Sequence, residues 1–250
     1  MFFPVMTALS VNLNKIALLR NSRGRDYPNV VAYGRYLIDL GVQGLTVHPR
    51  QDQRHTKDRD VHDLRELVAA FHGIELNVEG YPDERFLQLI LASRPHQCTL
   101  VPDAPDQLTS DHGWDLHQHF DQIKTLAEQL RRIGVRSSIF LDPDCQQVEL
   151  AAKTGVDRIE LYTEAYANAH AQDDYNDTLR QYRRAANLAT QLGLGVNAGH
   201  DLDLNNLADF LTIPSILEVS IGHALTVESL YQGVDSVIKQ YLQICSAKAQ

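Results

Sequence analysis

Along the chain, short apolar runs alternate with longer segments whose apolar positions recur at helical spacing, and the alternation occurs eight times. The runs at 8–13, 44–48, 75–79, 98–101, 137–141, 158–162, 195–197 and 217–221 read as strands. The segments near 30–40, 61–71, 84–93, 116–133, 146–153, 178–192, 204–211 and 227–244 read as helices. Pro82-Asp83-Glu84 supplies a proline and early acids at one helix start, and Gly134 and Gly193 follow the apolar periods of their helices as C-caps do. Eight βα units with no linker, internal repeat or composition break predict an α/β fold, a (β/α)8 barrel forming one domain over 1–250 with additional helical segments. An open doubly wound sheet is the second choice.

Composition narrows the class. At 250 residues and 28.2 kDa the chain has the length of one large barrel, and 44% hydrophobic with 22% charged residues excludes a disordered or collagen-like chain. No apolar stretch approaches the roughly 20 residues that cross a bilayer, and the first residues lack the basic and long apolar regions of a signal peptide. The expectation is a cytoplasmic protein. Cys98, Cys145 and Cys245 are scattered without CxxC spacing, which offers neither a disulfide framework nor a zinc site. With 23 Lys+Arg against 32 Asp+Glu the formal charge is −9, so neither nucleic acid nor a membrane is an expected partner. An anionic ligand needs a local site.

Polar residues collect where such a barrel keeps its chemistry, at the C-terminal ends of the strands. Strand one runs into Asn12, Asn14 and Lys15; strand two ends at His48-Pro49-Arg50, with His55 beyond; strand three ends at Glu79 and strand six carries Glu160. Strand seven ends at Gly199-His200 and strand eight at Gly222-His223, and loops at these two positions commonly hold phosphate in barrels. A turn glycine with positive φ is the plainer explanation of either Gly-His pair. Arg20, Arg23, Arg50 and Arg54 form a basic cluster suited to phosphate, with surface ion pairs as the alternative. Glu79 and Glu160 among histidines suit general acid/base work. His62, His72, His112, His117, His119 and His170 are read as surface residues.

Several strings are more specific. Ser10-Val11-Asn12-Leu13-Asn14-Lys15-Ile16-Ala17, Leu19-Arg20-Asn21-Ser22-Arg23-Gly24, Thr46-Val47-His48-Pro49-Arg50, Asn77-Val78-Glu79-Gly80-Tyr81-Pro82, Leu100-Val101-Pro102, Asn197-Ala198-Gly199-His200 and Ile221-Gly222-His223 resemble, in order and spacing, the pyridoxine 5′-phosphate synthase family. The resemblance runs from about residue 9 to 242. It implies a barrel enzyme of the transferase class that condenses 1-deoxy-D-xylulose 5-phosphate with 3-amino-2-oxopropyl phosphate to pyridoxine 5′-phosphate, phosphate and water. It also implies no metal or redox cofactor, phosphorylated small molecules as partners, and a homo-oligomer, an octamer. By the same resemblance His48 and Glu79 are general bases, His200 the proton donor and Glu160 a further acid. Asn12, Arg23, Asp201, Gly222 and His223 then hold the amino-ketone phosphate, and Asn14, Lys15, Arg50, His55 and Thr109 the deoxyxylulose phosphate.

The chain departs from the family pattern where Asn14-Lys15 replaces Asp-His, and where Asp201 follows His200 in place of a frequent glycine. Glu75 shares strand parity with Glu79 but lies four residues earlier, roughly 13 Å deeper at about 3.3 Å per residue, which leaves Glu79 at the rim. Segments 102–114 and 50–60 are candidates for a water-excluding lid. Two other classes stay open: another phosphate-binding barrel enzyme, such as an isomerase or an aldolase, for whose Schiff base Lys15 is the one lysine near a strand end, and a non-catalytic sugar-phosphate sensor, which has no use for His48, Glu79 and Glu160 together.

Overall fold

The computed structural model describes residues 6–103 and 110–247. Eight parallel strands close into a barrel in sequence order, with β1 pairing both β2 and β8. They are β1 (Ala8–Asn12), β2 (Gly44–Val47), β3 (Glu75–Gly80), β4 (Gln97–Leu100), β5 (Arg136–Leu141), β6 (Arg158–Tyr162), β7 (Gly195–Gly199) and β8 (Ile216–Ile221). Eleven helices among the described residues surround them: α1 (Asn14–Asn21), α2 (Val30–Asp39), α3 (Asp58–Ala69), α4 (Glu84–Ser93), α5 (Leu116–Arg132), α6 (Cys145–Thr154), α7 (Glu164–Ala171), α8 (Asn176–Gln191), α9 (Leu207–Phe210), α10 (His223–Gln232) and α11 (Val234–Ala247). The barrel expectation holds, and the doubly wound alternative falls because β1 and β8 pair.

Strand parity explains why these runs form a barrel. Leu9, Val11, Leu45, Val47, Leu76 and Val78 point outward and are buried beneath the helices. The inward positions are polar: Ser10, Thr46, Asn77, Thr99, Ser138, Glu160, Asn197 and Glu218 are all buried. Most of them satisfy one another across strands, as in Ser10 Oγ with Thr46 Oγ1 at 2.7 Å, Thr99 Oγ1 donating to Asn77 Oδ1 at 3.0 Å, and Arg158 Nη1 donating to Asn197 Oδ1 at 3.0 Å, whereas the buried Ser138 hydroxyl has no hydrogen-bond partner among the described residues. At the N-terminal floor Glu75 pairs with Arg136, and Arg158 Nη1 lies 3.4 Å from Glu218 Oε2. The floor is therefore a place of paired charges.

Helix ends follow the sequence signals. Asp83 caps α4 by accepting from the Phe86 N–H at 2.7 Å, Asp144 caps α6, and Gly134 and Gly193 take left-handed φ of +73° and +84° after α5 and α8. Two helices escape the period analysis. α1 leaves Leu18 and Leu19 exposed, and α7 buries only Tyr166, so neither shows a clean apolar stripe. The segment expected as one helix over 227–244 is two, broken at Gly233 with φ +81°.

The segment after β2 is tied down from α1. Arg20 forms a two-pronged ion pair with Asp60, Nη1 to Oδ1 at 2.6 Å and Nη2 to Oδ2 at 2.8 Å, both side chains being buried. Asn21 Nδ2 donates to the carbonyls of Arg54 (3.0 Å) and His55 (2.7 Å). Arg20 thus leaves the basic cluster and becomes a structural strut. Removing one partner of a buried pair strands the other charge, so we expect Arg20→Ala to cost about 3–5 kcal/mol in urea unfolding. A loss within about 1 kcal/mol, the scale of an exposed pair, would contradict that role.

Candidate active site

The rim is assembled from residues that continue the inward parity of their strands. Asn12 ends β1, His48 follows β2 and Glu79 lies near the end of β3, so the three converge at one sector of the barrel mouth. Asn12 Nδ2 donates to Glu79 Oε2 at 3.4 Å, and His48 Nδ1 stands 4.0 Å from the same oxygen. Asn14 works from behind: its Oδ1 accepts from the His48 backbone N–H at 2.9 Å and from Thr56 Oγ1 at 3.1 Å. One amide thereby fixes both the histidine and the segment beyond it.

His48 and Glu79 do not form an ordinary ion pair. Burial, then the cationic Arg50 and the neighbouring His55, Arg54 and Arg85, push His48 well below the usual imidazole range, leaving it neutral. Burial, then the charges of Glu160, Asp103 and Glu218, push Glu79 well above the carboxyl range, although Arg50 opposes this. The two environments thus pull in opposite directions, burial and Arg50 disfavouring a proton on His48 while burial and the neighbouring carboxylates favour one on Glu79, an arrangement suited to proton transfer.

Glu160 is fully enclosed, with Thr99 Oγ1 donating to its Oε2 at 3.4 Å; burial, followed by Glu218, pushes it up to about 8. The glycines beside it serve close approach and not backbone freedom. A Cβ on Gly199 would stand 2.5 Å from Glu160 Oε1, and one on Gly222 would stand 2.9 Å from Asn12 Cβ. The positive-φ reading of these two positions fails: Gly222 has φ −128°, and the left-handed residues of β7's end are His200 and Asp201. Gly222 sits at the N-cap of α10, whose first residue is His223.

On the opposite side of His48, Arg50 is buried in an ion pair with Asp103, whose Oδ2 also accepts from Ser110 Oγ at 2.9 Å. Burial raises Asp103 above its ordinary range against the pull of Arg50. His55 lies edge-on to His48 with ring centroids 6.2 Å apart; burial, Arg50 and Arg54 push it down to about 4.

Comparison with known proteins agrees with this geometry. The family model for the pyridoxal phosphate biosynthesis protein PdxJ matches residues 9–247. The chain is 50% identical over 237 residues to the pyridoxine 5′-phosphate synthase of Porphyromonas gingivalis, covering 94% of this chain and 98% of that one. It is 50% identical over 246 residues to the enzyme of the same name from Xanthomonas axonopodis pv. citri, covering 95% and 96%. The chain belongs to the PdxJ family. Among solved structures, the tryptophan synthase alpha chain of Legionella pneumophila superposes with a TM-score of 0.66 at 13% identity, covering 97% of this chain and 92% of that one, a likeness of fold alone.

Within the family framework the candidates fall into three groups. Asn12, His48, Glu79, Glu160, Arg50, His55 and the His200 and Gly222-His223 turns surround the mouth of the barrel. Lys15 is exposed in the first turn of α1, and Arg23, exposed beyond the end of that helix, makes no side-chain hydrogen bond or ion pair among the described residues. Thr109 and the core of the 102–114 segment lie outside the described residues. Of the two lid candidates, 50–60 is anchored to α1 by Arg20 and Asn21. Arg54 pairs with Asp52. Sequence reasoning missed Asp103, although an acid directly after β4 was visible. It also missed Tyr162, whose ring meets His200 edge-on at 4.9 Å and whose aromatic identity suggested only core.

Two outcomes follow from these environments. Glu79→Gln should lower turnover by about 10²–10⁴ with little change in melting temperature, whereas Glu75→Gln, which loses its partner Arg136 at the floor, should act mainly on stability. A dead Glu75→Gln enzyme beside an active Glu79→Gln one would reverse the assignment. For Glu160, the folded chain retains a proton up to about 8 that the unfolded chain releases near 4.5. Stability should therefore fall as pH rises from about 4.5 to 8, and Glu160→Gln should flatten part of that slope in urea midpoints.

Proposed function

We propose that the chain catalyses the reaction named for its relatives, condensing 1-deoxy-D-xylulose 5-phosphate with 3-amino-2-oxopropyl phosphate to pyridoxine 5′-phosphate, inorganic phosphate and water. The observation that carries this reading is the convergence of His48, Asn12 and Glu79 at one sector of the barrel mouth, where burial pushes His48 down and Glu79 and Glu160 up from their ordinary ranges. Joining an amine to a ketone, expelling water and phosphate, and closing an aromatic ring requires protons to be taken and returned at several atoms. A single acid/base pair cannot reach them all; groups distributed around a ring of strand ends can.

In this scheme His48 and Glu79 act as general bases that take protons from carbon or nitrogen, and Glu160 is a further acid. His200 delivers a proton from the end of β7. Arg50, His55, Asn14, Lys15 and Thr109 take the deoxyxylulose phosphate. Asn12, Arg23 and the backbone of the 200–201 and 222–223 turns take the amino-ketone phosphate, the second turn offering the N-terminal N–H groups of α10. Lys15 is exposed, which removes the desolvation that a Schiff-base lysine needs and weakens the aldolase reading. We assign the protein to the cytoplasm and to a homo-oligomer, an octamer. Leu18 and Leu19 of α1, Tyr36 of α2, and Leu230 and Tyr231 of α10 support association, since all are exposed on helices that neighbour one another.

Purified protein should form pyridoxine 5′-phosphate and phosphate only when both substrates are present. A stable product from one substrate alone, with none from the pair, would refute the assignment. Arg50→Ala should weaken the deoxyxylulose phosphate by about 1.5–3 kcal/mol in calorimetric titration while sparing the amino-ketone phosphate. Equal loss for both ligands would point to collapse of the Arg50–Asp103 corner.

A further inference from the structure

Beyond the end of β2 the backbone is held by polar ties where packing is incomplete. His48, Pro49 and Arg50 form a three-residue turn in which the Arg50 N–H donates to the His48 carbonyl at 2.9 Å, so the proposed base and the proposed phosphate ligand flank a single proline. A cavity of about 20 Å3, room for about one water molecule, lies against this turn and is lined in part by His48, Pro49, Arg50, Tyr81, Arg85 and Phe86. Side chains do not fill the space on that side, and hydrogen bonds have to fix the turn.

Arg85, in the first turn of α4, supplies them. Its Nη2 donates to the Pro49 carbonyl at 2.6 Å, and its Nη1 makes an ion pair with Asp58, the first residue of α3. Gln51 Nε2 adds a second link to α4 by donating to Asp83, the N-cap of that helix. Asp58 belongs to a segment that is itself anchored, since Arg20 pairs with Asp60 and Asn21 donates to the carbonyls of Arg54 and His55. The Arg85 guanidinium therefore joins a fixed point of the fold to the backbone carbonyl that lies between His48 and Arg50.

We infer that Arg85 is a positioning residue for the His48-Pro49-Arg50 turn, its guanidinium fork tying the Pro49 carbonyl to Asp58 so that His48 and Arg50 keep their spacing at the barrel mouth. The inference rests on the reading of His48 as a base and of Arg50 as a phosphate ligand. Arg85 acts through the backbone of the turn, and the family resemblance gives this position no part.

The other points of the turn are already held. Asn14 Oδ1 accepts from the His48 N–H at 2.9 Å, and Asp103 pairs with the Arg50 side chain. Without Arg85 the peptide between Pro49 and Arg50 is free to pivot about these points, which moves the imidazole and the guanidinium relative to one another. A misplacement of about 1 Å at reacting groups is enough to cost roughly a hundredfold in rate. Arginine suits the task because its planar fork reaches two acceptors at once, here a carboxylate and a carbonyl, whereas lysine presents one charged centre. The pair with Asp58 is about one-third exposed on both sides, so it adds little to stability and what it supplies is geometry.

The test compares Arg85→Met and Arg85→Lys with the parent. Hydrogen–deuterium exchange is followed in the ligand-free protein at the amides of 48–53 and, as an internal reference, at those of β2, while kcat and KM are measured for each substrate. Arg85→Met should speed exchange in 48–53 about tenfold relative to β2 and lower kcat about ten- to hundredfold. It should also raise KM for the deoxyxylulose phosphate and leave KM for the amino-ketone phosphate unchanged. Arg85→Lys, which keeps the charge but reaches one partner at a time, should fall between Arg85→Met and the parent. Unmoved exchange in 48–53, or exchange that rises equally in β2, overturns the inference, as does a parent-like kcat in a chain whose turn has loosened. An Arg85→Lys protein indistinguishable from the parent overturns it too, because charge alone then suffices. Faster exchange in the turn of the variants, where the parent itself forms no product, upholds the tie from Arg85 and overturns the reaction assignment alone.

Discussion

Closing a parallel sheet into a barrel sends every second side chain of every strand into an interior that has no second exit to a helix layer, and in this chain most of those side chains are polar, Phe140 being an apolar exception packed on Tyr162. Each must find its partner across the barrel, because an unpaired buried polar group costs about 1–3 kcal/mol. Ser10, Thr46, Asn77, Thr99 and Glu160 connect in one direction, and Glu75, Arg136, Gln97, Asn197 and Arg158 in another. The apolar outer faces hold the helices in place, so folding free energy comes from one side of the sheet while chemistry is arranged on the other.

The same interior sorts carboxylates by height. At the floor, Glu75 lies against Arg136 and is held below its ordinary range, the hydrogen bond from that guanidinium outweighing burial. Higher up, Glu79 has burial and the charge of Glu160, Glu160 has burial and the charge of Glu218, and among the described residues neither is ion-paired to a guanidinium, so both rise. Glu218 is intermediate, raised by burial although Arg158 and Arg136 draw it back. Residue type alone does not set these roles; the distance along the strand to an arginine does.

That distinction sets what could be read from sequence. The strands were legible because their outward residues are apolar at a period of two, and the rim residues because parity and strand ends together place a side chain at the mouth. Glu79 could be separated from Glu75 on that ground alone. α1 and α7 were not legible, since helices that bury only one or two apolar side chains carry no stripe. Nor was the fate of the arginines: Arg20 and Arg50 are alike in sequence, but their partners Asp60 and Asp103 lie 40 and 53 positions away, and only the closed barrel brings them together. For the Gly-His pairs the positive-φ alternative fails, because close approach to Glu160 and Asn12 demands the glycines, a packing constraint that no local sequence pattern displays.

The neutrality of His48 ties substrate binding to proton affinity. After burial, the largest influence lowering it is the cationic Arg50, with Arg54 and Arg85 behind. An anion bound against Arg50 offsets that field and so makes a proton on His48 less costly. Glu79, which Arg50 draws down, loses part of that support at the same time and holds its proton more firmly. A phosphate seated at this corner therefore raises the proton affinity of both groups together, the base becoming stronger and the acid remaining loaded. By linkage, uptake of a proton by the pair strengthens the hold on the phosphate in equal measure. In the proposed reaction the buried guanidinium thus has two linked effects: it supplies charge for the ligand, and it biases the protonation of His48 and Glu79.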